Sequence, residues 1–106
     1  MEIRDACQEM FRRHEVAAFG GVFHVPDLER YNCLFAWDSG YHALALRHLD
    51  ADLARAELET LYRANTAEDG LLAHERPAPG IPTGGQQKRH AQKNLGPEGG
   101  GAAFRW

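Results

Sequence analysis

Positive charge, long apolar runs and paired cysteines are all scarce in this sequence. Twelve Lys and Arg stand against fifteen Asp and Glu, a net charge of −3, so the basic face that usually marks a nucleic-acid partner is missing. The only basic cluster, Lys88, Arg89, His90 and Lys93, falls in a glycine-rich stretch and reads as a solvated segment. No run approaches the roughly 18 apolar residues of a membrane span. Met1-Glu2-Ile3-Arg4-Asp5 lacks the apolar centre of a secretory signal. Cys7 and Cys33 are the only cysteines; without export they are expected to be reduced, packed thiols in a cytoplasmic protein.

Metal and phosphate motifs are missing as well. His42 and His48 are six residues apart, while His14 and His24 are isolated, so no pair has the spacing of zinc ligands. Asp50 and Asp52 could open a calcium loop, but its glycine and closing glutamate are absent. Gly20-Gly21 is not followed by Gly-Lys-Ser/Thr. Neither a metal nor a cofactor is expected.

What the sequence does contain is helical periodicity over its first two thirds. Ile3, Ala6, Cys7, Met10 and Phe11 recur at i, i+3, i+4, i+7 and i+8, and Arg12, Arg13 and His14 suit a negative helix end. Gly20-Gly21 breaks the pattern, and Val22-Phe23-His24-Val25 reads as a short extended piece before Pro26. A second helix is expected from Asp38 or Ser39, either able to cap it, to about Leu49. Tyr41, Leu44, Ala45 and His48 share one of its faces, while Leu46 and Leu49 call for burial on another. Asp50 is the next cap, and Leu53, Ala54, Leu58, Leu61 and Tyr62 carry a third helix to Asn65, with Glu57 and Glu59 on its wetter side. The short join makes the two helices an antiparallel hairpin. The expectation is an all-α domain over residues 1–79. Seven of the eleven glycines lie beyond Pro79, and residues 80–106 are expected to form a disordered tail.

The chemistry centres on one carboxyl group. Asp38 follows Phe35-Ala36-Trp37 and precedes Tyr41. A carboxyl group against aromatic walls stays protonated near neutral pH, as a general acid must. Tyr31 and Trp37 offer flat faces to a sugar ring. A helix cap is the competing role for Asp38. His74-Glu75-Arg76 places three polar side chains after an apolar run. They read either as recognition of a polar ligand, with Arg76 gripping a carboxylate, or as a loop tying helices together.

Two motifs resemble a known family. Val25-Pro26-Asp27-Leu28-Glu29-Arg30-Tyr31-Asn32 leads into Leu34-Phe35-Ala36-Trp37-Asp38-Ser39-Gly40-Tyr41-His42, and Asp69-Gly70-Leu71-Leu72-Ala73-His74-Glu75-Arg76-Pro77 follows one helix later. This order is similar to the mannosylglycerate hydrolase-like glycosidases, related to glycoside hydrolase family 63. The resemblance covers about residues 20–80 and implies a piece of an (α/α)6 barrel that hydrolyses small α-glycosides, such as mannosylglycerate or glucosylglycerate, with inversion. It makes Asp38 the general acid, with Tyr31, Trp37, Tyr41, His42, His74, Glu75 and Arg76 around the substrate. The catalytic base of such enzymes is a glutamate far downstream, and Glu75 is not made the base by this match. Twelve helices of ordinary length exceed this chain, so a gene fragment, inactive alone, is expected. The partner is a small glycoside, with no nucleic acid or membrane and with a second chain or another copy covering bare helix faces. The rival readings are a non-enzymatic helical interaction module and a piece of a trehalase-like or debranching-type glycosidase.

Overall fold

A computed structural model describes residues 2–79 and the backbone of residues 103–105. The order is α1 (Ile3–Arg13), β1 (Glu15–Ala18), β2 (Gly21–His24), β3 (Cys33–Phe35), α2 (Ala36–Leu46), α3 (Ala51–Asn65), β4 (Leu71–Ala73), β5 (Glu75–Pro77) and β6 (Ala103–Arg105). The all-α expectation is therefore wrong: the protein is mixed α/β. Among the described residues the strands form antiparallel pairs β1–β2, β3–β5 and β4–β6. Two of these pairings join residues far apart in sequence, which periodicity within a window cannot reveal. The expected tail, including Lys88, Arg89, His90 and Lys93, lies outside the described residues apart from Ala103–Arg105. No described helix is long and apolar enough to cross a membrane.

β1 and β2 form a hairpin in which Val16 faces Phe23 and Ala18 faces Gly21. Its two-residue turn places Phe19 at φ 55° and Gly20 at φ 73°, the twist that suits a tight hairpin. Phe19 is a bulky residue in a region that favours glycine. Arg63 Nη1 from α3 holds the turn by donating to the carbonyls of Phe19 (3.3 Å) and Gly20 (3.2 Å). Gly21 lets β2 close on α3: a Cβ there would overlap the Thr60 hydroxyl. That hydroxyl accepts from Val22 N at 3.1 Å.

α2 and α3 pack as the expected hairpin. α3 starts where its sequence says, with Asp50 accepting from Leu53 N at 3.1 Å. α2 starts earlier than expected, at Ala36, with Phe35 as an N-cap that makes no side-chain bond. Asp38 and Ser39 thus lie inside the first turn and cap nothing, and the turn that follows Leu46 takes up Arg47–Leu49.

The interior is split in two. Phe23, Val25, Leu34, Ala36, Leu61, Leu72 and Ala78 form one apolar cluster, and Phe11, Ala43, Leu46 and Ala54 form the other. Asn65 bridges strands at the first: its Nδ2 donates to the carbonyls of Leu34 and Ala73, each at 3.1 Å.

Candidate functional site

Pairing of β3 with β5 brings the two sequence motifs side by side. Leu34 stands opposite Arg76 and Phe35 opposite Glu75, and Ala36 N donates to the His74 carbonyl at 2.8 Å. His74-Glu75-Arg76 is thus largely a strand rather than a loop tying helices together. Alternation along it buries Glu75 and leaves Arg76 half-buried, with the guanidinium 5.7 Å from the centre of the Phe19 ring. Arg76 Nε is enclosed without a hydrogen-bond acceptor among the described residues. The His74 ring lies 5.8 Å from that of Phe35.

α2 carries the next of the expected site residues. Asp38 is half-buried in its first turn, where a carboxylate suits the positive helix end. Trp37 and Tyr41 are one helical turn apart, both more than half exposed. Their rings are 5.5 Å apart at 57°, an aromatic ledge open to the outside. Tyr31 is also exposed, at an isolated bridge with Asp27. Asp27 accepts from the amides of Glu29 (2.7 Å) and Arg30 (2.8 Å). Those backbone bonds, Arg30's first, hold the Asp27 carboxyl below its ordinary value.

His42 faces elsewhere. Its Nδ1 is 3.0 Å from Glu57 Oε1, Ser39 Oγ donates to the same oxygen at 2.8 Å, and His24 Nδ1 is 2.7 Å from Glu57 Oε2. Glu57, expected on the wet side of α3, is fully buried. Burial pushes its carboxyl up, but bonds from His24 and His42, the His24 charge and Ser39 outweigh this and bring it below the ordinary value. Glu57 is therefore ionised near neutral pH and can only accept, so both imidazoles donate through Nδ1. Phe11 packs edge-on against both rings, 5.3 Å from His24 and 5.8 Å from His42. The signal for this cluster in the sequence is a histidine inside the otherwise apolar Val22–Val25 run, together with Ser39 and His42 at i, i+3.

A depression of about 470 Å³ lies between α1 and the helical hairpin. Phe11, Leu46, Leu49 and Leu53 line it with Arg12, Glu15 and Asp50 among the polar residues. None of the expected substrate residues borders it. Among the described residues, no three His, Cys, Asp or Glu side chains are arranged to hold a metal ion.

No curated protein and no solved structure matches this chain. The sequence model of the mannosylglycerate hydrolase MGH1-like glycoside hydrolase domain does, over residues 31–96. The match takes in β3, α2, α3, β4 and β5, and with them Tyr31, Asp38 and the β3–β5 pair. It spans more than half of the sequence, and the chain belongs to the MGH1-like glycoside hydrolase family.

Proposed function

We propose that this chain carries the general-acid segment of an inverting glycosidase acting on small α-glycosides, mannosylglycerate or glucosylglycerate among them. Asp38 is the proton donor to the leaving oxygen. Trp37 and Tyr41, with Tyr31 beyond, supply the surface on which a sugar ring stacks. One observation carries the reading. Within the segment that matches the family, a half-buried carboxyl group sits in the same helical turn as an exposed aromatic pair. Arg76 supports the glycerate part, because it is a half-buried cation on the strand that pairs with β3, and a guanidinium suits a carboxylate. His74, two residues away on the same side of the strand, acts beside it as a polar contact, Glu75 is turned to the buried side, and His42 acts from behind through Glu57. Inversion also requires a base roughly 6.5–9.5 Å from the acid, which the family resemblance places far downstream of Asp38 in sequence.

Ring stacking on Trp37 is directly observable. Titrating the chain with mannosylglycerate, glucosylglycerate and trehalose should move the Trp37 indole cross-peak in ¹H–¹⁵N spectra, assigned with Trp37→Phe. A glycerate-bearing sugar should act at lower concentration than trehalose. Preference for trehalose would favour a trehalase-like relative, and an unmoved indole with all three would refute the sugar site.

A second reading has its own observation. Trp37, Tyr41 and Leu44 form a stripe along α2, each more than half exposed, and such a stripe also suits a non-enzymatic helical module that pairs with another copy. Sedimentation equilibrium separates the two: a dimer broken by Leu44→Glu, with no sugar response, favours the module.

A further inference from the structure

The first turn of α2 is held by chemistry that packing alone does not require. α2 buries Ala36, Ser39, Ala43 and Leu46, mostly small side chains. Shallow surfaces of this kind interdigitate little and fix a helix weakly against rotation about its own axis. At about 100° per residue, Ser39 and His42 fall on the flank towards α3, and Trp37 and Tyr41 fall on the opposite side. Asp38 falls on the border between them. A modest rotation in one direction presses its carboxyl group into the interior, and the reverse rotation carries it into open water.

Glu57 removes that freedom. Its two oxygens take hydrogen bonds from Ser39 in the first turn of α2, from His42 in the next, and from His24 on β2. Ser39 and Glu57 are both fully enclosed, and His24 is 1% exposed. A buried ionic cluster is weak evidence for stability, since apolar residues of similar volume commonly serve as well. What this cluster adds is direction: two bonds to one helix, three residues apart, define its rotation relative to both α3 and β2. We propose that Glu57, through Ser39 and His42, is the positioning residue for Asp38. The catalytic meaning of that position rests on the acid role proposed for Asp38.

The test reads Asp38 itself, without sugar. Three-bond couplings from the backbone ¹⁵N and ¹³C′ to Asp38 Cγ should report one χ1 rotamer in the wild type. Ser39→Ala, which deletes a single hydroxyl, and Glu57→Gln should both lose that single-rotamer pattern. Both should also shift the amide peaks of Trp37–Gly40. Leu53→Ala, which loosens the apolar cluster that α2 enters through Ala43 and Leu46 and leaves the Glu57 bonds in place, should lower the melting temperature and leave the Asp38 couplings unchanged. If Glu57→Gln fails to fold, Ser39→Ala carries the test. Unchanged couplings in folded Ser39→Ala, or an Asp38 already averaged in the wild type, overturn the proposal. Failure of the acid assignment is seen separately: a silent Trp37 indole in the glycoside titration with Asp38 still sensitive to Ser39→Ala removes the sugar site and leaves the clamp.

Discussion

Gly21→Ala should be the most damaging single-methyl change on the β2–α3 contact, for a reason that is purely steric. Gly21 has no positive φ, so alanine suits its backbone. The added Cβ, however, overlaps Thr60 Oγ1 and stands 3.3 Å from both Thr60 Cβ and Arg63 Nη1. Thr60 is 1% exposed and cannot swing into water. Its hydroxyl also donates to the Ala56 carbonyl at 2.6 Å and accepts from Val22 N. Relief means either turning Thr60, with loss of two hydrogen bonds at about 1 kcal/mol each, or withdrawing β2 from α3 at an overpacking cost of about 1–3 kcal/mol. Both routes centre on about 2 kcal/mol, which for a domain this small lowers Tm by roughly 10 °C. Urea melts followed by circular dichroism measure it, and Thr60→Ala supplies the control. With the hydroxyl gone, Gly21→Ala should cost under about 1 kcal/mol more, a coupling of at least about 1 kcal/mol between the sites. Equal costs in both backgrounds, or a loss below about 0.5 kcal/mol in the wild type, would show that Thr60 does not set the distance between β2 and α3.

Three further outcomes follow from buried polar groups. The Glu57 carboxyl is held below its ordinary 4.5 in the folded protein. Its contribution is thus present above the unfolded value and lost as pH falls through the lower folded value. Wild-type stability should fall below about pH 4.5 more steeply than that of Glu57→Gln, and parallel acid melts would contradict the assignment. Asn65→Leu should cost about 1–3 kcal/mol, because it removes the side-chain donor that ties the Leu34 and Ala73 carbonyls together in the interior; a loss under about 0.5 kcal/mol in urea would show that this bridge is not needed. Burial, with Glu75 nearby, pushes the Cys33 thiol up to about 11, leaving about one part in a thousand as thiolate at pH 8. An aromatic disulfide reagent should therefore label Cys7 first and Cys33 only on unfolding, as peptide mapping of the labelled protein would show.

The helices are legible because each announces itself within one window. The apolar spacing of Ile3, Ala6, Met10 and Phe11 and the cap at Asp50 place α1 and α3 nearly to the residue. α2 starts two to three residues early because its first turn extends directly from β3, with Ala36 N bonded to His74 rather than to a capping side chain. Of the strands only β2 is legible, as the extended piece expected at Val22–Val25, and its pairing with β1 is not. β3, β4 and β5 are three residues each, too short to show alternation, and β3 finds its partner some forty positions away, after two helices. At the candidate site the family motif points to Asp38, Trp37 and Tyr41, and the structure gathers these on one helix. Glu57 escapes such a reading, because helical periodicity assigns a carboxylate to water when the donors that let it stay inside come from two other elements. His42, read as a neighbour of substrate, is occupied by that same carboxylate.

The pairing of Cys33 with Pro77, extended by Ala78 N donating to the Asn32 carbonyl at 2.9 Å, has a geometric corollary. It fastens the two ends of a 32–78 loop to each other, so the polypeptide enters and leaves this segment at a single doorway. Sequence before Asn32 and after Ala78 departs from the same spot, and β2 then runs back along α3 through Val22 and His24. The segment is closed on itself at its ends and braced along its flank, so a change at the Cys33–Pro77 pair and a change in β2 bear on the same pair of helices.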